Sequence, residues 1–132
     1  MNPLPRPRRK CSACHGAMRI AYLTLADASR KHHGAAWECS RCATAVWTPI
    51  IKDDYVAHKL QNWRVTHRVR AEFDIEKRAA AFRGGWSRLG SMCHYTRGYQ
   101  WRDLAGMEST VYWRSQKACL LAFVLEMEAR RG

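Results

Sequence analysis

Four cysteines near the N-terminus have a spacing that suits a metal ion. They form two Cys-x-x-Cys pairs, Cys11 with Cys14 and Cys39 with Cys42, separated by residues 15–38. A Cys-x-x-Cys turn directs two sulfur atoms toward one point, so two such turns supply the four thiolates of a tetrahedral Zn²⁺ site. Buried or disulfide-bonded cysteines are the alternative, but the doubled spacing favours an ion. We therefore predict structural Zn²⁺ at these four cysteines, with no open coordination position for catalysis.

The segments around the cysteine pairs predict short strands. Residues 18–25 are rich in strand-forming side chains, residues 26–34 are polar and indicate a loop, and residues 35–38 lead back to the second pair. A third short strand is predicted over residues 43–48. We expect Gly16 to adopt the positive φ that a tight cysteine turn requires.

The order cysteine turn, hairpin, cysteine turn and strand resembles a zinc ribbon over residues 11–50. The resemblance implies a small β element that is held together by its ion. A segment of this size buries too little apolar surface to fold alone. We expect the metal to supply about 10–16 kcal/mol of apparent folding free energy.

The rest of the chain has a helical pattern. Residues 55–83 contain no proline or glycine, which predicts one long helix ended by Gly84 and Gly85. Shorter helices are expected over residues 87–97 and 109–131. The predicted fold class is α+β, a small N-terminal four-cysteine zinc ribbon followed by an α-helical domain. The expected division is a basic Pro/Arg-rich tail over residues 1–10, the ribbon over 11–50 and the basic α-helical domain over 51–132.

Residues 98–117 resemble a helix-turn-helix with Gly106 as the turn glycine. The resemblance implies that Arg114 and Lys117 lie on the outer face of a second helix, the face that meets the major groove of DNA. An ordinary helical hairpin with a glycine turn is the alternative.

The charge balance indicates a polyanionic partner. The chain has 132 residues, with 23 Lys and Arg against 11 Asp and Glu, a net charge of +12. Nucleic acid is the commonest partner of such a protein. The alternative is that the positive charge serves only to keep the protein soluble or to bind an acidic protein. The candidate nucleic-acid-binding residues are Arg30, Lys31, Arg64, Arg68, Arg83, Arg88, Arg97, Arg102, Arg114 and Lys117.

No catalytic motif is found in the sequence. A nuclease of the His-and-metal finger type would need a further His or Asn beside His32 and His33, and none follows nearby. Cys93 and Cys119 are expected to be small buried hydrophobic residues, with a second metal site as the alternative. We therefore expect a protein that is not an enzyme.

The sequence as a whole predicts a zinc-binding, nucleic-acid-binding protein. DNA is favoured over RNA, with a role as a transcription regulator, in a protein encoded by a phage or a mobile element. The alternative is a zinc-ribbon adaptor that docks on a larger machine such as RNA polymerase. The N-terminus has no secretion signal and no segment suits a membrane span, so an intracellular protein, cytoplasmic or nucleoid-associated, is expected.

Overall fold

The computed structural model describes residues 9–24, 34–47, 53–79 and 85–131. These residues form eight strands and two helices. In chain order they are β1 (Met18–Thr24), β2 (Gly34–Cys39), β3 (Thr44–Trp47), α1 (Asp53–Leu60), β4 (Trp63–Val69), β5 (Glu72–Arg78), β6 (Trp86–Tyr95), β7 (Gly98–Asp103), β8 (Tyr112–Trp113) and α2 (Gln116–Arg131).

All eight strands belong to one sheet with the order β1-β2-β3-β8-β7-β6-β5-β4. Neighbouring strands are antiparallel, except that β3 and β8 run parallel. The two-residue strand β8 is therefore the link between the hairpin that carries the cysteines and the four-stranded meander β4–β7. In this short link, Thr44 pairs with Tyr112 and Ala45 pairs with Trp113.

The strand directions place different loops at the two ends of the sheet. The two cysteine turns and the loop 104–110 lie at one end, which we name the cysteine end. The turn end lies opposite. There β4 turns into β5 at Arg70, β6 turns into β7 at Arg97, and β8 leads through Arg114 into α2.

Helix α2 covers one face of the sheet. The ring of Phe123 packs edge-on against Trp63 and Trp101, with centroids 5.9 and 5.6 Å apart. The indole of Trp47 stacks on Trp113 at 5.2 Å, and its Nε1 donates to the carbonyl oxygen of Ala118 at 3.2 Å. Aromatic contacts of this kind contribute beyond simple area burial. The core therefore lies between this face and α2.

The predicted α-helical C-terminal domain is wrong, because the structure after residue 60 is mostly sheet. In place of one helix over residues 55–83 there is a short helix followed by the hairpin β4–β5. The turns are made without glycine or proline: Asn62 and Arg70 adopt left-handed conformations, with φ of 69° and 47°. Asn enters that region more readily than most residues. Alternation along β4 then sends Val65 toward the helices and Arg64 to the opposite face.

The predicted helix-turn-helix over residues 98–117 is also wrong. Residues 98–103 form β7, and Gly106 (φ 88°) lies in a loop between two strands. The buried side chain of Asp103 organises this loop by accepting the amides of Ala105 and Met107, both at 2.9 Å. Helix α2 begins only at Gln116, after Ser115 caps it by accepting the Ala118 amide at 3.1 Å.

The three strands predicted around the cysteines are confirmed as β1, β2 and β3. The proposed division at residues 10 and 50 stays a prediction, although strands on both sides of residue 50 share the sheet. Residues 1–8 of the expected tail lie outside the described part of the chain. Neither of the described helices is long and apolar enough to span a bilayer.

Candidate metal centre and basic surfaces

The four predicted cysteine ligands come together at the cysteine end. Their Sγ atoms all lie within 4.8 Å of one another. The closest pairs join the two turns, with Cys11 to Cys42 at 3.7 Å and Cys14 to Cys39 at 3.4 Å. A tetrahedral ion with Zn–S bonds of about 2.3 Å requires sulfurs about 3.8 Å apart. The donor set and its spacing therefore fit a tetrahedral ion with four thiolate ligands.

The two cysteine turns have the same backbone geometry. His15 follows Cys14 and Ala43 follows Cys42, and both adopt positive φ, 61° and 60°. The amide of His15 donates to the carbonyl oxygen of Cys11 at 2.8 Å, and the amide of Ala43 donates to that of Cys39 at 3.1 Å. This repeated turn presents two pairs of sulfurs to one centre.

The reason for glycine at position 16 differs from the prediction. The positive φ falls on His15, one residue earlier. A Cβ at Gly16 would lie 3.2 Å from the Sγ of Cys39 and 3.3 Å from that of Cys14. Glycine therefore suits this position because the two turns approach each other closely, and a Cβ would force the sulfurs to shift slightly.

Hydrogen bonds prepare some of the sulfurs for the thiolate form. The Thr44 hydroxyl lies 3.0 Å from the Sγ of Cys42, and this contact, with the Thr44 amide, lowers the pKa of Cys42 to about 6. Amides of its own turn lower the pKa of Cys39. For Cys14, the Gly16 amide lowers the pKa, but the contact with Cys39 and burial raise it to about 12. A cation would favour the thiolate at all four positions.

The other two cysteines lie apart from this cluster. Cys119 is buried in α2, and burial raises the pKa of its thiol far above the usual value. Cys93 is half-buried on β6. Within the described part of the chain, the only grouping of three or more potential metal ligands is the four-cysteine cluster.

Four of the predicted nucleic-acid-binding arginines lie on the sheet face opposite α2. Each has an acidic neighbour: Arg64 contacts Glu76 at 3.1 Å, Arg68 and Arg88 lie 4.0 and 3.8 Å from Asp74, and Arg102 contacts Glu108 at 2.9 Å. The Arg64 guanidinium also lies over the Trp86 ring at 4.1 Å. The strand register places these arginines on one face of the sheet. The neighbouring carboxylates neutralise most of their positive charge.

Arg97, Arg114 and Lys117 lie at the turn end, with Arg70, which the list of candidates did not include. All four side chains are exposed, and none forms an ion pair with any residue that the structure describes. Arg70 follows β4, and only the strand register shows that it is a neighbour of Arg97. Arg30, Lys31 and Arg83 lie outside the described residues.

The cysteine region is compatible with a zinc-ribbon-like site. Strands β1–β3 flank two equivalent cysteine turns, as that arrangement requires. In the described chain, however, these strands are part of a larger sheet. No protein-family model, curated protein or solved structure matches this chain.

Proposed function

We propose that this is a zinc-stabilised protein that binds nucleic acid at the turn end of its sheet. The observation that carries the proposal is the set of four exposed cations there, Arg70, Arg97, Arg114 and Lys117, which lack ion-pair partners among the described residues. A cluster of like charges repels itself unless an anion compensates it. A phosphate polymer supplies such an anion.

The strand order spaces three of these cations, Arg70, Arg97 and Arg114, along the turn end of the sheet. Neighbouring strands are about 4.8 Å apart, so the backbone at Arg70 and that at Arg97 are about 10 Å apart, two strand spacings. From Arg97 to Arg114 the separation is about 7 Å. A row with this spacing can contact successive phosphates of one strand.

The position of Lys117 adds to this argument. It occupies the first turn of α2, where no acidic side chain is present. The helix dipole disfavours a cation there by about 0.3–1 kcal/mol. A negatively charged ligand at the turn end would interact favourably with both Lys117 and the helix N-terminus, and so offset this unfavourable free energy.

Zinc is the metal that we propose for the cysteine cluster. Four thiolates at tetrahedral spacing suit Zn²⁺, and iron is the other ion for which such a set is common. Bound there, the ion would fix the cysteine turns and so hold β1–β3 in the sheet. Elemental analysis of the purified protein should find one zinc per chain. One iron per chain, with visible absorption, would exclude zinc as the resident metal.

The expected role in transcription loses the support of the helix-turn-helix resemblance. The strand β7 and its loop occupy the segment expected to enter a major groove. We therefore propose nucleic-acid binding for this protein, without sequence-specific regulation of DNA.

Two double variants with the same net charge test the location of the surface. Fluorescence anisotropy would measure their binding to labelled oligonucleotides at two salt concentrations. We expect Arg97→Gln with Arg114→Gln to weaken binding strongly. The control, Arg19→Gln with Arg88→Gln, removes two charges that have acidic neighbours and should have a smaller effect. Equal losses in both variants would reject the turn end as the contact surface.

One observation favours the second candidate, a protein-interaction adaptor. Leu104 and Met107 are 62% and 60% exposed, more than any other large hydrophobic residue described. Both lie in the loop that Asp103 organises through hydrogen bonds. A preorganised loop that exposes apolar side chains loses little entropy when a partner binds it.

This second candidate is tested with purified RNA polymerase after nuclease treatment. An adaptor would still bind, and Leu104→Ser with Met107→Ser would weaken the complex. The turn-end variant Arg97→Gln with Arg114→Gln would leave it unchanged. No binding by the wild-type protein would remove polymerase docking as a function.

A further inference from the structure

The turn end contains a cavity beside its cations. The cavity has a volume of about 460 Å³ and is lined by the β4–β5 turn and the end of β6: Val69, Arg70, Ala71, Glu72, Cys93, His94 and Tyr95. Arg70, one of the four exposed cations of the turn end, is in its wall. Arg97 follows Tyr95 by two residues. The cavity and the proposed phosphate-binding row are therefore adjacent.

The lining of this cavity includes two exposed apolar side chains. Val69 is 53% exposed and Tyr95 is 43% exposed, and both belong to the four exposed large hydrophobic residues of the described chain. Exposed apolar residues that cluster in a concave site mark a binding surface more strongly than single ones do.

The Tyr95 ring is also held in place. It packs edge-on against Tyr112, with centroids 5.9 Å apart and planes at 86°. Next to it, Gly98 lets β7 approach β8 closely, because a Cβ there would lie 2.5 Å from the carbonyl oxygen of Trp113. A fixed aromatic ring loses little freedom when a planar group stacks on it.

Building on the proposed function, we infer that the ligand is a single-stranded nucleic acid, one unpaired base of which enters this cavity and stacks on Tyr95. The cations of the turn end contact the flanking phosphates. A base in a duplex is stacked and paired and cannot enter the cavity, whereas an unpaired base of RNA or DNA has a free face for the ring. Glu72, in the cavity wall, can accept a hydrogen bond from a base N–H donor, such as the N3–H of uracil or thymine or an amino group of the other bases.

Three labelled probes test the inference on the full chain: a 12-nucleotide oligo-U RNA, a 12-nucleotide oligo-dT DNA and a 12-base-pair duplex. We expect one or both single strands to bind more tightly than the duplex. Comparison of the RNA and DNA single strands shows which of the two is preferred. Tyr95→Ala should weaken single-strand binding about tenfold, since stacking contributes about 1–3 kcal/mol per base. Tyr95→Phe keeps the ring and should retain the affinity.

Photo-crosslinking gives a second measurement that needs no variant. A single strand containing one 5-iodouracil base should crosslink to the tryptic peptide of residues 89–97, which contains Tyr95. Crosslinks confined to other peptides would overturn the inference, as would equal binding of duplex and single strand with no effect of Tyr95→Ala. If salt-dependent binding were nevertheless present, the proposed function would stand without this inference. Binding of no probe at low salt would reject both.

Discussion

The Nη1 atom of Arg130, near the end of α2, lies 2.6 Å from the buried Oδ2 atom of Asp103, at the end of β7. The other carboxylate oxygen of Asp103 accepts the amides of Ala105 and Met107. One side chain thus joins α2, the sheet and the loop 104–110. The hydrogen bond from Arg130 lowers the pKa of Asp103, although burial acts in the opposite direction.

This ion pair predicts an acid-dependent contribution to stability. A carboxyl group with a lowered pKa stabilises the fold above its unfolded pKa of about 3.9. The contribution is lost as the pH falls through the folded value. We expect Arg130→Gln to lower the melting temperature at pH 7 by roughly 5 °C, and the difference from wild type to shrink below pH about 4.

Arg97→Gln is the matched control, because Arg97 is exposed and has no ion-pair partner among the described residues. Metal release at acid pH affects all these proteins, so the difference between melting curves is the informative quantity. A difference that is the same at pH 7 and pH 3.5 would show that the pair does not stabilise the fold through its charge.

Loss of one cysteine ligand should remove the metal. Cys39→Ser is expected to reduce zinc from about one ion per chain to nearly none, and to destabilise β1–β3, because thiolate donors supply the binding free energy. Cys93→Ser, which changes a half-buried thiol outside the cluster, should retain the ion. Elemental analysis and thermal melting measure both effects. Full metal content in Cys39→Ser would disprove the ligand assignment.

The close approach of the two cysteine turns predicts an effect of a single methyl group. Gly16→Ala would place a Cβ 3.2 Å from the Cys39 sulfur and the same distance from the Cβ of Arg41. The turns would have to separate slightly, so zinc affinity should fall roughly 10–100-fold, the range seen for residues that position metal ligands. Competition with a chromogenic chelator measures it. Gly85→Ala, where a Cβ meets nothing within 4 Å, should bind zinc as the wild-type protein does.

The packing of α2 on the sheet predicts a stability effect at Gly90. A Cβ there would lie 2.7 Å from the carbonyl oxygen of Arg102 and 2.8 Å from the Phe123 ring. Gly90→Ala should therefore destabilise the protein by about 1–3 kcal/mol through overpacking, measured by denaturant unfolding. Gly85→Ala again serves as control. Wild-type stability in Gly90→Ala would be inconsistent with this contact between β6 and α2.

The metal cluster could be predicted from sequence because its signal is local. Two Cys-x-x-Cys turns specify their own geometry, and short strands on each side follow from the intervening residues. The meander β4–β7 was missed because its turns rely on Asn62 and Arg70 in left-handed conformations, where glycine or proline would have been recognised. The alternation of Trp63, Val65 and His67 with the polar residues Arg64, Thr66 and Arg68 is the available signal for β4.

The basic surface could be predicted only in part. The charge pattern indicates Arg97, and the helix-turn-helix resemblance, which is wrong, indicates Arg114 and Lys117, but their assembly with Arg70 depends on strand register. The ion pairs that neutralise Arg64 and Arg102 likewise follow from cross-strand and loop contacts. From sequence alone, the arginines that form ion pairs therefore could not be distinguished from those that form none with the described residues.

The salt dependence of single-strand binding tests the central claim most directly. Four phosphate contacts predict a slope of log affinity against log salt concentration near −2.8, since each contact contributes about −0.7 on a single strand. Arg70→Asn with Arg97→Gln should reduce the slope to about −1.4, and asparagine tolerates the left-handed conformation of residue 70. An unchanged slope in this variant, or binding that is insensitive to salt, would contradict nucleic-acid contact at the turn end.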